Sequence, residues 1–261
     1  MFKGKNIAIT GATSGIGRAI AEMFIAEGAQ VAISDLKSPD ETAVSIGAKA
    51  YSCDVTQEAQ VKAFLDQASA DLGPIDMFVA NAGVGFGDPK HAAGASNEDW
   101  DLSWGVNVMG AVYGARHLLP QMKARGSGNI VITASAAGLM CQIGSASYTA
   151  TKHAAVGFAE SLAIRHWDEG IKTHCICPQY VKTNMTKGMA MAESHKDGLL
   201  EPSDVANALK LAIIEDRFMV LSHPIVGEYF KHKAMDYDAY IQGMNKLKQK
   251  VGSEQLPNSK R

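Results

Sequence analysis

The chain has 261 residues, of which 46% are hydrophobic and 20% are charged, a composition typical of a globular protein with a full core. Its net charge is −2 without a long run of like charge, which argues against a nucleic acid or an anionic membrane surface as partner. No apolar run reaches the roughly 18 residues of a membrane-spanning helix, and the opening MFKGKNIAIT is too short in its apolar part for a signal peptide, so we expect a cytoplasmic protein.

Short apolar runs alternate with helical patterns along the chain. The predicted strands, in chain order, are NIAIT, QVAISD, AKAYSCDV, IDMFVANAG, GNIVITAS, IKTHCICP and FMVLS. The predicted helices cover residues 16–27, 57–71, 97–124, 147–168, 203–215 and 224–249. Apolar, β-branched strands separated by helices predict an α/β fold, a doubly wound parallel sheet with helices on both faces. We expect one domain over 1–261, with a C-terminal helical extension.

A glycine-rich loop, TGATSGIG, joins the first predicted strand to the first helix. Its glycines, Gly11, Gly15 and Gly17, would let the backbone approach a pyrophosphate, and the helix N-terminus would supply N–H groups and partial positive charge. The spacing is G-x-x-x-G-x-G rather than G-x-G-x-x-G, and such a turn can also be purely structural. Its place between a strand and a helix favours a dinucleotide.

Asp35 ends the second predicted strand, eighteen positions after Gly17. A carboxylate there can accept hydrogen bonds from the adenosine ribose hydroxyls and would repel a 2′-phosphate. The alternative is a capping aspartate in a loop. Lys37 is the only nearby base, since neither Ser14 nor Leu36 is a cation, so NAD is favoured over NADP as cofactor.

The stretch YTATK places Tyr148 and Lys152 four positions apart at the start of a predicted helix, on the same face. They are either an ordinary half-exposed pair or a proton donor and the cation that tunes it. A free phenol has a pKa of about 10, too high for a base at neutral pH, and burial raises it further. One positive charge at about 4 Å would stabilise the phenolate by roughly 4 kcal/mol at an effective dielectric near 20. Such a charge, which Lys152 can supply, would lower the pKa of the tyrosine.

Six motifs in this order, TGATSGIG, CDV, NAG, WGVNVMG, ITASAAG and YTATK, resemble those of the short-chain dehydrogenase/reductase family. The resemblance covers roughly residues 3–220. It implies a single Rossmann-type domain and NAD(P)-linked oxidation of an alcohol or reduction of a ketone. Two other functions remain open, a non-catalytic NAD-binding regulatory protein and epimerase- or dehydratase-type chemistry on the same fold.

The resemblance also assigns roles to individual residues. It implies that Tyr148 is the acid/base, that Lys152 lowers its pKa, that Ser135 binds the substrate oxygen, and that Asn107 holds a water in a proton relay. The residues that the glycine loop, Asp35 and the resemblance together predict for the cofactor are Gly11, Ser14, Gly15, Ile16, Gly17, Asp35, Asp54, Val55, Asn81, Ala82, Gly83, Tyr148, Lys152, Pro178 and Thr183.

The substrate site departs from the family pattern. Gln179 stands where the family usually has glycine after Pro178, either as a substrate contact or as a tolerated change. Residues 184–200 occupy the position of the family's substrate lid, where methionines offer an adaptable apolar surface or plain packing. The candidate substrate contacts are Ser135, Met140, Gln142, Gln179, Met185 and Met189. We expect a small-molecule substrate that is an apolar secondary alcohol or ketone.

Two regions predict assembly contacts. The family pairs the helices that match 97–124 and 147–168, so we expect a homodimer or homotetramer through the small and apolar residues Ala111, Val112, Ala115, Ala154, Ala155, Phe158 and Leu162. The family's usual Asp-Gly-Gly ending, used in tetramers, is replaced by residues 224–249, with an apolar stripe that includes Met244 and Leu247. This stripe predicts an amphipathic helix that covers the lid or a neighbouring subunit; a solvated, partly frayed helix is the alternative.

The four cysteines fit no zinc pattern, and we expect no metal. Cys53, Cys141, Cys175 and Cys177 are predicted to be reduced, small and buried. We expect Cys175 and Cys177 to face opposite sides of their strand.

Overall fold

A computed structural model describes residues 1–88, 90–187 and 198–251. Seven strands form one sheet in the order β3-β2-β1-β4-β5-β6-β7, and every neighbouring pair is parallel. The strands are β1 Asn6–Thr10, β2 Gln30–Asp35, β3 Lys49–Ser52, β4 Met77–Ala80, β5 Gly128–Thr133, β6 Ile171–Ile176 and β7 Met219–Val220. Each strand lies within the corresponding predicted run, and the doubly wound α/β fold is confirmed.

Helices cover both faces of the sheet. They are α1 Gly15–Ala26, α2 Asp40–Ile46, α3 Glu58–Leu72, α4 Asn97–Trp104, α5 Gly110–Arg125, α6 Ala146–His166, α7 Pro202–Ile214, α8 Ile225–Met235 and α9 Tyr237–Val251. One core cluster joins the sheet to α3, α5 and α6, and a second joins it to α1 and α7. Strands β1 and β4 are buried over their whole length because both of their faces meet a helix layer.

The strand order reverses between β1 and β4. From β1 the chain builds outward to β3 and then crosses back to place β4 on the other side of β1. In open parallel sheets, ligands bind in the crevice that this reversal leaves at the carboxyl ends of the strands. The glycine loop follows β1 and Asn81 follows β4, so both motifs lie at this crevice.

The long helix predicted over 97–124 contains a π-helical turn, Gly105–Met109, between α4 and α5. Such turns occur often at functional sites. Here the turn carries Asn107, which is buried. Its Oδ1 accepts from the Val84 N–H at 2.9 Å, and its Nδ2 donates to Thr151 Oγ1 at 3.0 Å. The turn therefore fixes an amide between the loop after β4 and α6.

The prediction of one continuous helix over 224–249 is wrong. The chain breaks at Asp236, whose φ of −147° is extended, and this residue separates α8 from α9. Asp236 Oδ1 accepts from the Ala239 N–H at 2.9 Å, a capping bond that competes with a continuous helix backbone. Sequence reasoning also missed α2, because seven residues are too few for a clear helical period.

Two side-chain predictions also need correction. Cys141 is exposed, whereas the other three cysteines are buried. Cys175 and Cys177 lie on the same face with their Sγ atoms 3.9 Å apart, because residues two apart on a strand share a face.

In the predicted assembly helices, four of the seven named residues are instead buried in the chain's own core: Ala111, Ala115, Ala155 and Leu162.

None of the helices in the described ranges combines the length and the apolar character needed to cross a bilayer.

Candidate active site

Two adjoining cavities open at the carboxyl end of the sheet. A long cleft of about 510 Å³ runs from the glycine loop past Asp35 to Lys152. A second cavity of about 770 Å³, the apolar cavity, lies between the segment after β5 and helices α8 and α9. Ser135 and Gln179 line both. A ligand extended along the cleft would therefore meet a second molecule at these two residues.

The glycine loop is shaped by close backbone contacts. A Cβ at Gly11, where φ is +63°, would lie 2.7 Å from Ala82 Cα, and one at Gly17 would lie 2.4 Å from the Gly11 carbonyl oxygen. Ser14 precedes α1 in an extended conformation without capping it through its side chain, and the first turn of α1 has no acidic residue. The first N–H groups of α1 thus face the cleft without a side-chain acceptor, which fits a pyrophosphate.

Asp35 is held at the cleft by the loop that precedes α1. Its Oδ2 accepts from Thr13 Oγ1 at 2.6 Å and from the Thr13 N–H at 3.2 Å, and its Oδ1 accepts from the Leu36 N–H at 2.8 Å. These bonds fix the carboxylate where a ribose would lie. Asp54 caps its own turn, since its Oδ1 accepts from the Thr56 N–H at 2.9 Å.

Fourteen of the fifteen predicted cofactor residues line the long cleft. The exception is Gly17, which lies behind the loop against Gly11 and Asn81. Asn81 ties the two loops together, because its Nδ2 donates to the Gly11 carbonyl at 2.9 Å and its N–H donates to Thr10 Oγ1 at 3.1 Å. Its position in the cleft thus also has a structural role.

Tyr148 and Lys152 lie on one face of α6, as their spacing predicts. Lys152 is 3% exposed, and its Nζ donates to the Thr133 carbonyl at 2.8 Å. The same Nζ lies 5.6 Å from the centre of the Tyr148 ring. The ammonium also lies close to the turn after β4, because a Cβ at Gly83 would be in ordinary contact with it at 3.5 Å.

Burial dominates the proton affinities of this pair. Burial raises the pKa of Tyr148, a hydrogen bond with Ser135 lowers it in part, and the Cys177 thiol raises it. The predicted lowering of this pKa by Lys152 is not found in the protein alone, where the hydrogen bond with Ser135 is the influence that lowers it. Burial also lowers the pKa of Lys152 to about 8, which leaves the ammonium the main form at neutral pH.

The remaining predicted residues divide between the two cavities. Ser135 Oγ accepts from the Ala137 N–H at 3.1 Å and faces both. Met140 and Gln142 line the apolar cavity, whereas Met185 lies in the long cleft and is 43% exposed. Met189, with most of the predicted lid, lies outside the described residues.

Comparison with known proteins decides the family. The family model described as short chain dehydrogenase matches residues 5–194. The chain belongs to the short-chain dehydrogenase/reductase family.

Similar members of this family act on different alcohols. The chain is 37% identical over 196 residues to a meso-2,3-butanediol dehydrogenase of Serratia marcescens, covering 72% of this chain and 75% of that one. It is 34% identical over 228 residues to a mitochondrial borneol dehydrogenase of Lavandula x intermedia, covering 84% and 87%. A short-chain dehydrogenase/reductase from Burkholderia phymatum, solved in complex with NAD, superposes with a TM-score of 0.80 at 30% identity, covering 91% and 95%. The protein is thus an oxidoreductase of a family that binds nicotinamide cofactors.

Sequence reasoning missed most of the apolar cavity of this oxidoreductase. Helices α8 and α9 and the residue between them supply half of its lining: Tyr229, His232, Met235, Asp236, Ala239, Tyr240, Gly243, Met244 and Leu247. The amphipathic pattern did mark Met244 and Leu247 as apolar. It could not show what they face, because that depends on the break at Asp236.

The low pKa of Lys152 makes the stability of the protein depend on pH. Lysine titrates near 10.5 when unperturbed and near 8 here, so between these values the unfolded chain binds more protons and stability rises with pH. We expect the free energy of unfolding of the wild type, relative to Lys152→Met, to increase by about 2 kcal/mol from pH 7.5 to pH 9.5, at 1.36 kcal/mol per pKa unit.

Urea denaturation at the two pH values measures this difference. Lys246→Met, which removes an exposed lysine of α9, is the matched control for loss of a lysine charge. If the difference in the free energy of unfolding between the wild type and Lys152→Met is the same at both pH values, the lowered pKa of the buried ammonium is contradicted.

Proposed function

We propose that this chain is an NAD-dependent dehydrogenase of secondary alcohols, or a reductase of the corresponding ketones, with a largely apolar substrate. The observation that carries the proposal is that Ser135, Tyr148 and Lys152 line the long cleft together, and that Ser135 also lines the apolar cavity. The glycine loop and Asp35 fit the pyrophosphate and the ribose of NAD. Bound there, NAD would exchange a hydride with the substrate carbon.

In this proposal Tyr148 moves the proton. Its hydroxyl gives a proton to the ketone oxygen in reduction and takes one from the alcohol in oxidation, while Ser135 Oγ donates to that oxygen as charge develops on it. Because burial raises the pKa of Tyr148, the phenol holds its proton at neutral pH, which suits reduction. Oxidation requires phenolate, so it depends on positive charge from Lys152 and from the oxidised nicotinamide ring.

Asn107 supports this site from beneath. Both hydrogens of its amide are used, one by the Val84 carbonyl at 2.9 Å and one by Thr151 Oγ1 at 3.0 Å. A water of the proposed relay would therefore donate to an oxygen of Asn107 rather than accept from its amide.

We further propose a cytoplasmic location. All four cysteines are free in the structure, which supports a reducing compartment. The net charge of −2 supports a small molecule, rather than a nucleic acid or a membrane, as partner.

Asp35 should select NAD(H) over NADP(H). The hydrogen bonds from Thr13 and Leu36 hold its carboxylate in place, so it cannot turn away from a 2′-phosphate. We expect kcat/KM for NAD to exceed that for NADP by at least about tenfold, equivalent to 1.4 kcal/mol, and Asp35→Ala to reduce this ratio. Equal use of both cofactors by the wild type would refute the assignment.

Tyr148→Phe tests the chemistry. The variant removes the proton donor and keeps the ring, so we expect turnover to fall by about 10²–10⁴-fold, as for loss of a general acid or base. NAD binding, measured by calorimetry, should stay nearly unchanged, and Lys152→Ala should impair both binding and turnover. Absorbance at 340 nm follows turnover with a panel of alcohols. Near wild-type rates for Tyr148→Phe would exclude this mechanism.

We also propose self-association through α5 and α6. Val112, Ala154 and Phe158 are half-buried on these helices, and Phe158 already packs partly on the core, so they offer a compact apolar surface to a second copy. We expect a dimer or a tetramer by sedimentation at micromolar concentration. A single monomeric species under these conditions would disprove the association.

A further inference from the structure

The apolar cavity is suited to a large, uncharged molecule. Its volume of about 770 Å³ is in the upper part of the range of about 300–1,000 Å³ typical of pockets for drug-sized ligands. Among the described residues that line it there is no lysine or arginine, the imidazole of His232 is the one basic side chain, and the carboxylate of Asp236 is the one acidic side chain. A carboxylate or phosphate on the substrate would therefore share the cavity with a carboxylate and have no lysine or arginine as partner, which is costly.

Lys233 holds the C-terminal helices in place across this cavity. It is 7% exposed although it is a lysine, and its Nζ donates to the Leu139 carbonyl at 2.7 Å. The same ammonium lies 5.3 Å and 5.5 Å from the ring centres of Tyr237 and Tyr240, the first turn of α9. One cation thus joins α8 and α9 to the segment after β5, through a charged hydrogen bond and two cation–π contacts.

His153 completes the surroundings of this ammonium. Its Nε2 is 3.4 Å from Lys233 Nζ, and its Nδ1 is 2.9 Å from the Thr149 carbonyl. With Nδ1–H donating to Thr149, Nε2 accepts from Lys233. The bond links α8 to α6, the helix that carries Tyr148, and so fixes the distance from the catalytic tyrosine to α9.

The face of α9 toward the cavity has a gap. Ala239 and Gly243, one helical turn apart, both line the cavity. A Cβ at Gly243 would have no heavy atom of the described residues within 4 Å, and the φ of this glycine is outside the left-handed region. Neither backbone conformation nor packing among the described residues therefore requires glycine here, although glycine costs a helix interior about 1 kcal/mol relative to alanine. Gly243 is exposed and lines the cavity, so a larger side chain at this position would reduce the open space at the cavity wall.

We propose that α9 sets the substrate class of this enzyme as bulky, uncharged, apolar secondary alcohols or ketones of bicyclic size or larger. Gly243 is the specificity-determining residue, and Lys233 is the positioning residue that holds α9. This inference rests on the dehydrogenase activity proposed above.

The decisive variant is Gly243→Leu. Leucine favours a helix over glycine, so the fold is retained while the side chain occupies the far end of the cavity. With decahydro-2-naphthol we expect kcat/KM to fall at least tenfold, mainly through KM, and with butan-2-ol to change less than twofold. The matched control is Asn245→Leu, because Asn245 is exposed on α9 and lies outside the cavity lining. This variant should leave the ratio of kcat/KM for the two alcohols unchanged.

A second pair of variants tests the support of α9. Lys233→Met keeps the length of the side chain but removes the ammonium, so we expect KM for the bicyclic alcohol to rise while kcat for butan-2-ol stays within twofold. The control is Lys231→Met, an exposed lysine on the same helix. Melting temperatures identify any variant that fails to fold. If Lys233→Met does not fold, the result for Gly243→Leu alone decides whether α9 sets the substrate class.

Binding separates this inference from the proposed activity. Calorimetric titration of the NAD-loaded protein with 2-decalone requires no turnover, and we expect at least tenfold weaker binding to Gly243→Leu than to the wild type or to Asn245→Leu. Turnover of butan-2-ol and the bicyclic alcohol alike by Gly243→Leu would overturn the role of α9 and leave the dehydrogenase intact. Selective binding of the ketone without turnover of either alcohol would support the cavity and refute the activity.

Discussion

The close packing of the glycine loop on the turn after β4 is the contact on which the site depends. Gly11 lies so near Ala82 that no Cβ fits between them, and Asn81 donates to the carbonyls of both Thr10 and Gly11. The same turn runs close to Asn107 and Lys152, since a Cβ at Gly83 would lie 3.4 Å from Asn107 Oδ1 and 3.5 Å from Lys152 Nζ. The two loops at the sheet reversal are therefore held together, and a shift of either would change the glycine loop and the surroundings of the ammonium together.

The strands, the glycine loop and the pairing of Tyr148 with Lys152 could be predicted from the sequence, because each depends on residues that are close together in the chain. The central strands β1 and β4 are buried on both faces, so their apolar runs were visible without knowledge of their neighbours. The glycine loop and the spacing of Tyr148 and Lys152 were equally visible, because backbone space and helix periodicity are short-range properties. The π turn at Asn107 and the break at Asp236 were not, since each depends on where side chains find their hydrogen-bond partners in the folded chain.

The pKa values of Tyr148 and Lys152 could also be predicted only in part from the sequence. The interval of four residues placed an ammonium near a phenol, but it could not show how far both would be removed from water. In the folded protein, burial is the largest influence on each of the two pKa values, and the Thr133 carbonyl holds the ammonium from the β5 side. Desolvation is a property of the whole fold, so no pair of residues in a sequence reports it.

The separation of α8 and α9 from the catalytic framework has an evolutionary consequence. The family model ends at residue 194, whereas α8 begins at Ile225, so the segment opposite the reacting groups is a contiguous piece of chain that contributes no strand to the sheet. Such a piece can diverge, or be exchanged between relatives, without disturbing the glycine loop, Tyr148 or Lys152. Selection for a new substrate could therefore act on the codons of residues 225–251 while the long cleft is inherited unchanged.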